Sequence, residues 1–323
     1  MEASIETPIA AAETSKARGQ IRTFMIRLFR EKKLGAAGAV VVLTLLLVGI
    51  FADVIAPYGV STINMKARFA SASAEHILGA DQLGRDLFSR LVFGARISMI
   101  VGVGAAALHL VIAVILALLS GYLGGRVDLF IQRLVDAFLT FPPLFIILTV
   151  MTLLPQGVLS VIIVIGVWWG IGGSRILRGV VLSAKENMYV EAARSVGCGT
   201  GRILWRHILP QLVAPMIVMF STALGAAIIT EAEISFLGFG IPPPEPSWGG
   251  MLNLAGKKYM LRSPDLALWP GACLAVVVFS INMFGDAVRD LVDPRLKGGA
   301  GNLGTAKKAV QKFYRQMKKT NKP

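Results

Sequence analysis

Long stretches without any charged residue are the feature that most limits how this chain folds. A helix that crosses the hydrocarbon core of a bilayer needs about 20 mostly apolar residues. Charge-free runs long enough for this occupy residues 34–52, 97–125, 137–174, 207–230 and 266–285. The run 137–174 is too long for one span, and the Leu-Leu-Pro-Gln-Gly stretch at 153–157 divides it. The sequence therefore predicts an all-α integral membrane protein with six transmembrane helices.

The distribution of basic residues predicts how these helices are oriented. Only 16% of the 323 residues are charged, yet the net charge is +14, a value that in a soluble protein would suggest nucleic-acid binding. With the N-terminus placed inside, 25 of the 33 Lys and Arg residues fall in cytoplasmic segments and 8 in external ones. Short cytoplasmic loops of membrane proteins carry such an excess. We therefore expect both termini in the cytoplasm and no nucleic-acid partner.

The N-terminal part predicts a retained first span. A cleaved signal peptide has a short basic region before an apolar stretch of about 7–15 residues, whereas here 33 residues precede a 19-residue run. The basic, amphipathic stretch 21–33 either lies on the inner membrane surface or extends the first helix. The predicted organisation is a basic cytoplasmic segment 1–33, a first helix 34–56, an extracytoplasmic segment 57–96, a transmembrane core 97–288 and a basic cytoplasmic tail 289–323.

The glycine-rich hexapeptide at 197–202, Gly-Cys-Gly-Thr-Gly-Arg, resembles a phosphate-binding loop at first sight. Its spacing fits neither the dinucleotide-binding pattern nor the P-loop pattern, and good helix formers rather than a buried strand precede it. We therefore expect two short helices joined by a glycine turn. Gly197 would end the first helix in a left-handed conformation, and Thr200 would cap the second.

The residues around this turn resemble the EAA loop of ABC importer permeases, whose pattern is roughly E-A-A-x3-G-x9-I-x-L-P. The loop spans about 184–210, and the matching positions are Glu191, Ala192, Ala193, Gly197, His207, Ile208, Leu209 and Pro210. His207 replaces the first Ile of the pattern, which resembles the peptide and nickel branch of the family. Segments 77–99, 121–144, 234–252 and 286–296 resemble other parts of those permeases, in the same order.

The resemblance implies a type I ABC importer permease fold in the bacterial cytoplasmic membrane. It also implies four kinds of partner: the lipid membrane, a second homologous permease subunit, two ABC ATPase subunits and an extracytoplasmic substrate-binding protein. ATP and Mg²⁺ would be held by the ATPase subunits, with no cofactor and no enzymatic activity in this chain. The expected cargo is a di- or oligopeptide, with nickel or another small solute as alternatives. An ion-coupled secondary transporter and a non-transporting scaffold or sensor are the competing hypotheses.

Charged residues crowd into the predicted external segment 57–96. Asp81, Arg85, Asp86 and Arg90 suggest either a solvated, self-paired helix face with an Asp86–Arg90 pair, or part of the landing surface for a binding protein. Trp248, in a Pro-rich connection, is predicted to anchor at the membrane interface or to add to that contact.

Few ionisable residues fall within the predicted spans. Glu231, Glu233, Asp136 and Asp286 are near span ends, so we expect them to be solvated at the interface. His109 is mid-span, where it either forms a helix–helix hydrogen bond or lines the transport path. Metal-ligand spacing and a nucleophile–base pair are both missing from the sequence, and the two cysteines are far apart.

Overall fold

The computed structural model describes residues 23–292, so the predictions for 1–22 and for the tail beyond 292 lie outside the described residues. The described part is helical, with an isolated bridge between Ala80 and Asp86. Its helices are α1 (23–31), α2 (Lys33–Ile50), α3 (Ala52–Ile55), α4 (Leu87–Leu118), α5 (Gly125–Leu139), α6 (Pro143–Leu153), α7 (Val158–Lys185), α8 (Met188–Ser195), α9 (Thr200–Ile203), α10 (Leu209–Phe236), α11 (Trp248–Met251) and α12 (Asp265–Val292).

Five helical stretches of the described chain are long and apolar enough to cross a membrane. They are 33–50, 87–123, 158–185, 200–236 and 265–292. Two of them combine neighbouring elements, because wider π-helical turns continue α4 to Leu123 and join α9 to α10. A sixth span results if α5 and α6, which are bent by 91° at their junction, are counted together.

The bend between α5 and α6 departs from the straight third span that the sequence predicts. Pro142 and Pro143 lie inside the charge-free run, and a proline disfavours helical geometry in the residue before it. Residues 137–139 therefore end the amphipathic helix α5, and α6 keeps only 11 residues. A helix of that length spans roughly 16 Å, about half of the hydrocarbon core.

The helix α1 connects directly to α2. Backbone hydrogen bonds from Lys32 N to Leu28 O and from Ala36 N to Lys32 O continue across the junction. The Leu28 side chain is buried against Ala287 and Leu291 of α12. These contacts favour the helical extension over a segment that lies on the membrane surface.

Small residues set the distance between α2 and α12. A Cβ atom on Gly38 would lie 2.3 Å from the carbonyl oxygen of Ser280, and one on Gly35 would lie 2.2 Å from the Cβ of Ala287. In lipid, small residues of this kind let helix backbones approach closely. The first span is therefore held to the bundle through backbone-to-backbone packing.

Replacing Gly38 with Ala is expected to lower the stability of the purified chain by about 1–3 kcal/mol, the usual cost of overpacking. The obstacle is a backbone carbonyl, which cannot rotate away as a side chain can. Thermal denaturation in detergent, followed by circular dichroism, measures the effect. Gly179→Ala is the matched control, because a Cβ there meets nothing within 4 Å. Equal melting temperatures for the two variants would contradict this packing.

The two ends of the bundle have different structures. At the first, which we call the loop end, α8 and α9 connect α7 to α10. At the second, the cap end, residues 57–86 lie against residues 237–264. Two contacts hold these segments in place. Arg90 Nη1 of α4 donates to the Pro244 carbonyl at 3.4 Å, and the Arg262 guanidinium lies 4.3 Å from the ring centre of Phe69.

Candidate functional site

The glycine turn of the loop end has the predicted conformation. Gly197 has a φ of +81°, the left-handed region that favours glycine. Its N–H donates to the Arg194 carbonyl at 2.9 Å, and the Cys198 N–H donates to the Ala193 carbonyl at 3.0 Å. These two hydrogen bonds form a Schellman motif at the C-terminus of α8. The left-handed helix stop predicted at Gly197 is confirmed.

The predicted cap of the second helix is wrong by one residue. Gly199 occupies the N-cap position in extended geometry, and no side-chain hydrogen bond caps α9. The Schellman turn ends early enough for Gly199 to be the N-cap. Thr200 is therefore already the first helical residue of α9. Pro210 lies in the first turn of α10, directly after the π-helical turn that joins this helix to α9.

The inner side of the loop end packs on a base of buried apolar residues. Val190, Ala193, Ile203 and Ile208 are buried in a cluster with residues of α4 and α7. Ala193 therefore faces the core, and the flat Ala192–Ala193 surface suggested by the sequence is wrong for Ala193. The base of α8 is therefore packed in the same apolar cluster as residues of α4 and α7.

One face of α8 is left open. Met188, Glu191, Ala192 and Ser195 have helical spacing of i, i+3, i+4 and i+7, and all four are exposed. Large apolar side chains are also exposed on the loop end, with Met188 at 85%, Val196 at 78% and Trp205 at 74%. Exposed apolar groups close together commonly mark a protein–protein contact.

The other predicted positions of the loop have mixed exposure. The His207 ring is half-buried, with its centre 6.1 Å from that of Tyr189. Ile208 is fully buried, Leu209 is half-buried and Pro210 is exposed. The Ile208 and Leu209 side chains therefore support α8 from below, while Pro210 and the α8 face are available to a partner.

Two further contacts, which the sequence did not suggest, fasten the loop end. Arg178 of α7 binds Asp128 of α5 through two hydrogen bonds of 2.7 and 2.5 Å. The Arg194 guanidinium of α8 lies 5.2 Å from the centre of the Tyr122 ring. The first contact joins α7 to α5, and the second joins α8 to the π-helical turn that continues α4. The partners are up to about 70 residues apart, so no local pattern reveals them.

The charged cluster of the cap end is buried, and the prediction of a solvated face is wrong. Asp81, Arg85, Asp86 and Arg90 are each at most 6% exposed. The Arg85 guanidinium binds Asp81 at 2.7 Å, and Arg90 Nε lies 3.8 Å from the same carboxylate. Asp86 instead caps α4 by accepting from Ser89 N at 2.7 Å, and it pairs with His76 at 2.9 Å. The predicted Asp86–Arg90 pair is therefore wrong as well.

Trp248 is an interior residue and not an interfacial anchor. It is 2% exposed, and its indole N–H donates to the Leu91 carbonyl at 3.1 Å. A buried tryptophan usually has such a partner. Since this residue and the four charged residues of the cap are all buried, the structure contradicts their prediction as surface contacts for a binding protein. They hold the cap together.

Near the surface of the cap end, one ion pair is exposed. Arg96 Nη2 lies 2.7 Å from the Asp53 carboxylate. The hydrogen bond from Arg96 holds the pKa of Asp53 below its ordinary value. This pair connects α3 to α4.

Glu231 contradicts the prediction of interfacial solvation. Its side chain is 0% exposed, and the Ser235 hydroxyl donates to Oε1 at 2.7 Å. The return of residues 237–251 over α10 covers it, as shown by the close approach of Gly249 to Ala232. Its neighbour Glu233 is exposed, as predicted.

His109 lies between α4 and α7 and borders a cavity. It is 8% exposed, and within the described residues neither ring nitrogen has a hydrogen-bond partner. The predicted helix–helix hydrogen bond is therefore wrong. The reason is that the imidazole ring packs against Gly173 of α7. It therefore contacts helix backbone that has no free polar group to pair with it. The alternative, that His109 lines a path, remains a prediction.

The membrane bundle with its supported loop matches known proteins over most of its length. Residues 110–298 match the family described as "Binding-protein-dependent transport system inner membrane component". Residues 22–72 match the "N-terminal TM domain of oligopeptide transport permease C". The chain belongs to this family of inner-membrane transport components, and it is a multi-pass inner-membrane protein.

Similar relatives place it more narrowly among permease proteins. It is 37% identical to the oligopeptide transport system permease protein OppC of Bacillus subtilis (strain 168) over 269 residues, 83% of this chain and 88% of that protein. It is 37% identical to the glutathione transport system permease protein GsiD of Pectobacterium atrosepticum, covering 85% and 91%. With the dipeptide transport system permease protein DppC of Alkalihalophilus pseudofirmus the identity is 34%, covering 83% and 88%.

The family and its relatives confirm the resemblance on which the fold prediction rests. They also support the prediction that the chain is a membrane component of a transport system and not itself an enzyme. The roles of individual site residues, the absence of a cofactor and the orientation of the termini stay predictions.

Proposed function

We propose that this chain is a permease subunit of an ABC importer that carries peptides into the cell. The observation that carries the proposal is the loop end, where an exposed α8 face with Glu191 and Ala192 stands on a buried base of Val190 and Ala193. A docking element needs both properties. The open face binds the partner, and the packed base transmits its movement to α4 and α7.

The partners follow from this assignment. Two ABC ATPase subunits would bind and hydrolyse ATP with Mg²⁺, each contacting one permease subunit through such a loop. A second, similar permease subunit would complete the path, and a binding protein would deliver the cargo from outside. The loop end would face the cytoplasm together with both termini, in agreement with the excess of Lys and Arg on that side.

Peptides are the cargo that the comparisons favour. The relatives named above transport oligopeptides, dipeptides and glutathione according to their names, and glutathione is itself a tripeptide. Nickel and ion-coupled secondary transport have less support. The described residues hold no group of three His, Cys, Asp or Glu side chains suited to a metal.

The mechanism is a change of access driven from the loop end. When ATP closes the ATPase pair, the two loops would move with it, and the permease subunits would rock between outward and inward openings. Because the buried base of α8 contacts α4 and α7, a displacement of α8 shifts these spans instead of bending the loop. This chain supplies the transport path and the loop that transmits the movement, while the chemical energy comes from its partners.

Co-purification tests the proposal. The tagged chain, expressed with the products of its neighbouring genes, should retain an ABC ATPase and a second permease subunit. Once reconstituted in vesicles, the complex should hydrolyse ATP faster when its binding protein carries a peptide. Isolation of the chain without an ATPase, together with uptake driven by an ion gradient, would support a secondary transporter instead. Retention of the ATPase without any stimulated hydrolysis or uptake would support a scaffold or sensor.

A further inference from the structure

A cavity of about 340 Å³ opens between α4, α6, α7 and α10. Its wall is almost entirely apolar and includes Trp168, Trp169, Gly173 and Met219, with His109 as its one titratable group. The volume lies at the lower end of the range of small-molecule sites, about 300–1,000 Å³. His109 is roughly 33 Å along the helix from the start of α4 and roughly 21 Å from Leu123, where the continuation of α4 ends.

His109 is the unusual member of this wall. It is 8% exposed, and both Nδ1 and Nε2 lack a hydrogen-bond partner in the described part of the chain. Burial of an unpaired polar group is unfavourable, so such a group usually has an unseen partner. The Thr222 hydroxyl of the wall does not supply one, because it lies 3.1 Å from the Met219 carbonyl and 3.2 Å from that of Val218.

We infer that this cavity is a station for the translocating peptide and that the His109 imidazole, whose two nitrogens are covered by protein in this structure, turns into the cavity to form one hydrogen bond with the peptide's backbone. The inference rests on the proposed function and adds a residue and a recognition chemistry to it. A neutral imidazole offers one donor and one acceptor. A peptide unit carries the complementary carbonyl and N–H, whereas a lipid acyl chain carries neither.

The apolar wall fits transport of varied cargo. Aromatic and aliphatic side chains contact peptide side chains without demanding a particular one, while contacts to the backbone are shared by all peptides. A transport site must also release its cargo, so a single polar contact suits it better than a dense network. The cavity therefore combines weak binding with indifference to sequence.

The position of the ring is set by Gly173. A Cβ atom there would lie 2.8 Å from His109 Nε2 and 3.0 Å from the Met219 Cε. Gly173→Ala would therefore push the imidazole from its place without removing its chemistry. This variant separates the position of the ring from its mere presence.

The test uses the whole reconstituted complex with its binding protein and a tripeptide, Ala-photoleucine-Ala, as a photoreactive probe. His109→Phe should lower ATP-dependent uptake of the probe about ten-fold, the effect of one lost hydrogen bond to a buried group. Labelling of α7 and α10 residues around the cavity should fall in parallel. ATP hydrolysis stimulated by the binding protein should stay within about two-fold of wild type, which shows that the complex is folded and coupled.

Three variants complete the design. His109→Gln keeps a donor and an acceptor, so uptake should return to within about three-fold of wild type. Gly173→Ala should resemble His109→Phe. Val111→Phe is the matched control, since Val111 is on the same helix and is 54% exposed, outside the cavity wall.

The possible results are distinct. Normal probe uptake by His109→Phe would overturn the inference and leave the proposed function intact. So would labelling of the cavity by a photoactivatable phosphatidylcholine in place of the tripeptide, because the occupant would then be lipid. If the wild-type complex shows no ATP-dependent uptake of the tripeptide, peptide import itself is contradicted.

Discussion

Replacing Glu191 with Lys is expected to abolish ATP-driven uptake while the subunit still inserts into the membrane. Glu191 lies on the open face of α8, and within the described residues its carboxylate forms no ion pair. A surface substitution of this kind changes folding stability by about 0.5 kcal/mol or less. In the proposed complex, however, the same side chain is covered by the ATPase subunit.

The cost of the change appears when the partner binds. A reversed charge inside an interface typically costs 2–5 kcal/mol, which corresponds to a loss of affinity of at least ~30-fold. The purified variant should therefore lose its ATPase subunits, and uptake should fall to background. Both are measured on complexes isolated from membranes, with the amount of membrane-inserted subunit determined by immunoblotting.

Glu75→Lys is the matched control for this experiment. Glu75 is exposed and belongs to the cap end, and its hydrogen bond to the Tyr58 hydroxyl uses only the backbone carbonyl. The variant makes the same change in net charge at the opposite end of the bundle, so the ATPase should stay bound. If Glu191→Lys retains its ATPase and imports peptide at the wild-type rate, the coupling role of the loop is refuted.

The spans were predictable because their signal is local. An apolar run of about 20 residues has to be helical in lipid, whatever packs against it. The same locality explains Gly197, whose position after a helix-forming stretch is enough to indicate a helix stop. The exception was the third span. There the apolar run alone suggests one straight helix. Pro142 and Pro143, which are also a local signal, set the 91° bend.

The cap end could not be predicted, because its burial depends on chain segments far apart in sequence. Asp81 and Arg85 have the spacing of a solvated helix face, and nothing nearby in sequence indicates otherwise. They are buried because residues 237–264 return over them, as the contact of Arg90 with the Pro244 carbonyl shows. The same return covers Glu231. A pattern of charges predicts which residues can pair, but it does not predict whether the pair is buried or exposed to water.

The return of the cap depends on Gly249, and its replacement by Val should have the largest effect on stability. A Cβ atom on Gly249 would lie 2.3 Å from the Ala232 carbonyl oxygen and 2.6 Å from the Ala232 Cα. These obstacles are backbone atoms of α10, so no rotamer change relieves the clash. The helix α11 would have to lift away, and the adjacent Trp248 would leave its buried position against Leu91.

The expected destabilisation is about 3 kcal/mol or more, at the upper end of overpacking costs, which corresponds to a fall in melting temperature on the order of 5–10 °C. Thermal denaturation in detergent measures it, with Gly271→Ala as control because a Cβ there meets nothing within 4 Å. An unchanged melting temperature for Gly249→Val would contradict the packing of α11 on α10. Because the ATPase would bind at the opposite end, the variant should still co-purify with it. Loss of the cap with retention of the ATPase would show that the two ends act as separate structural units, joined only through the spans.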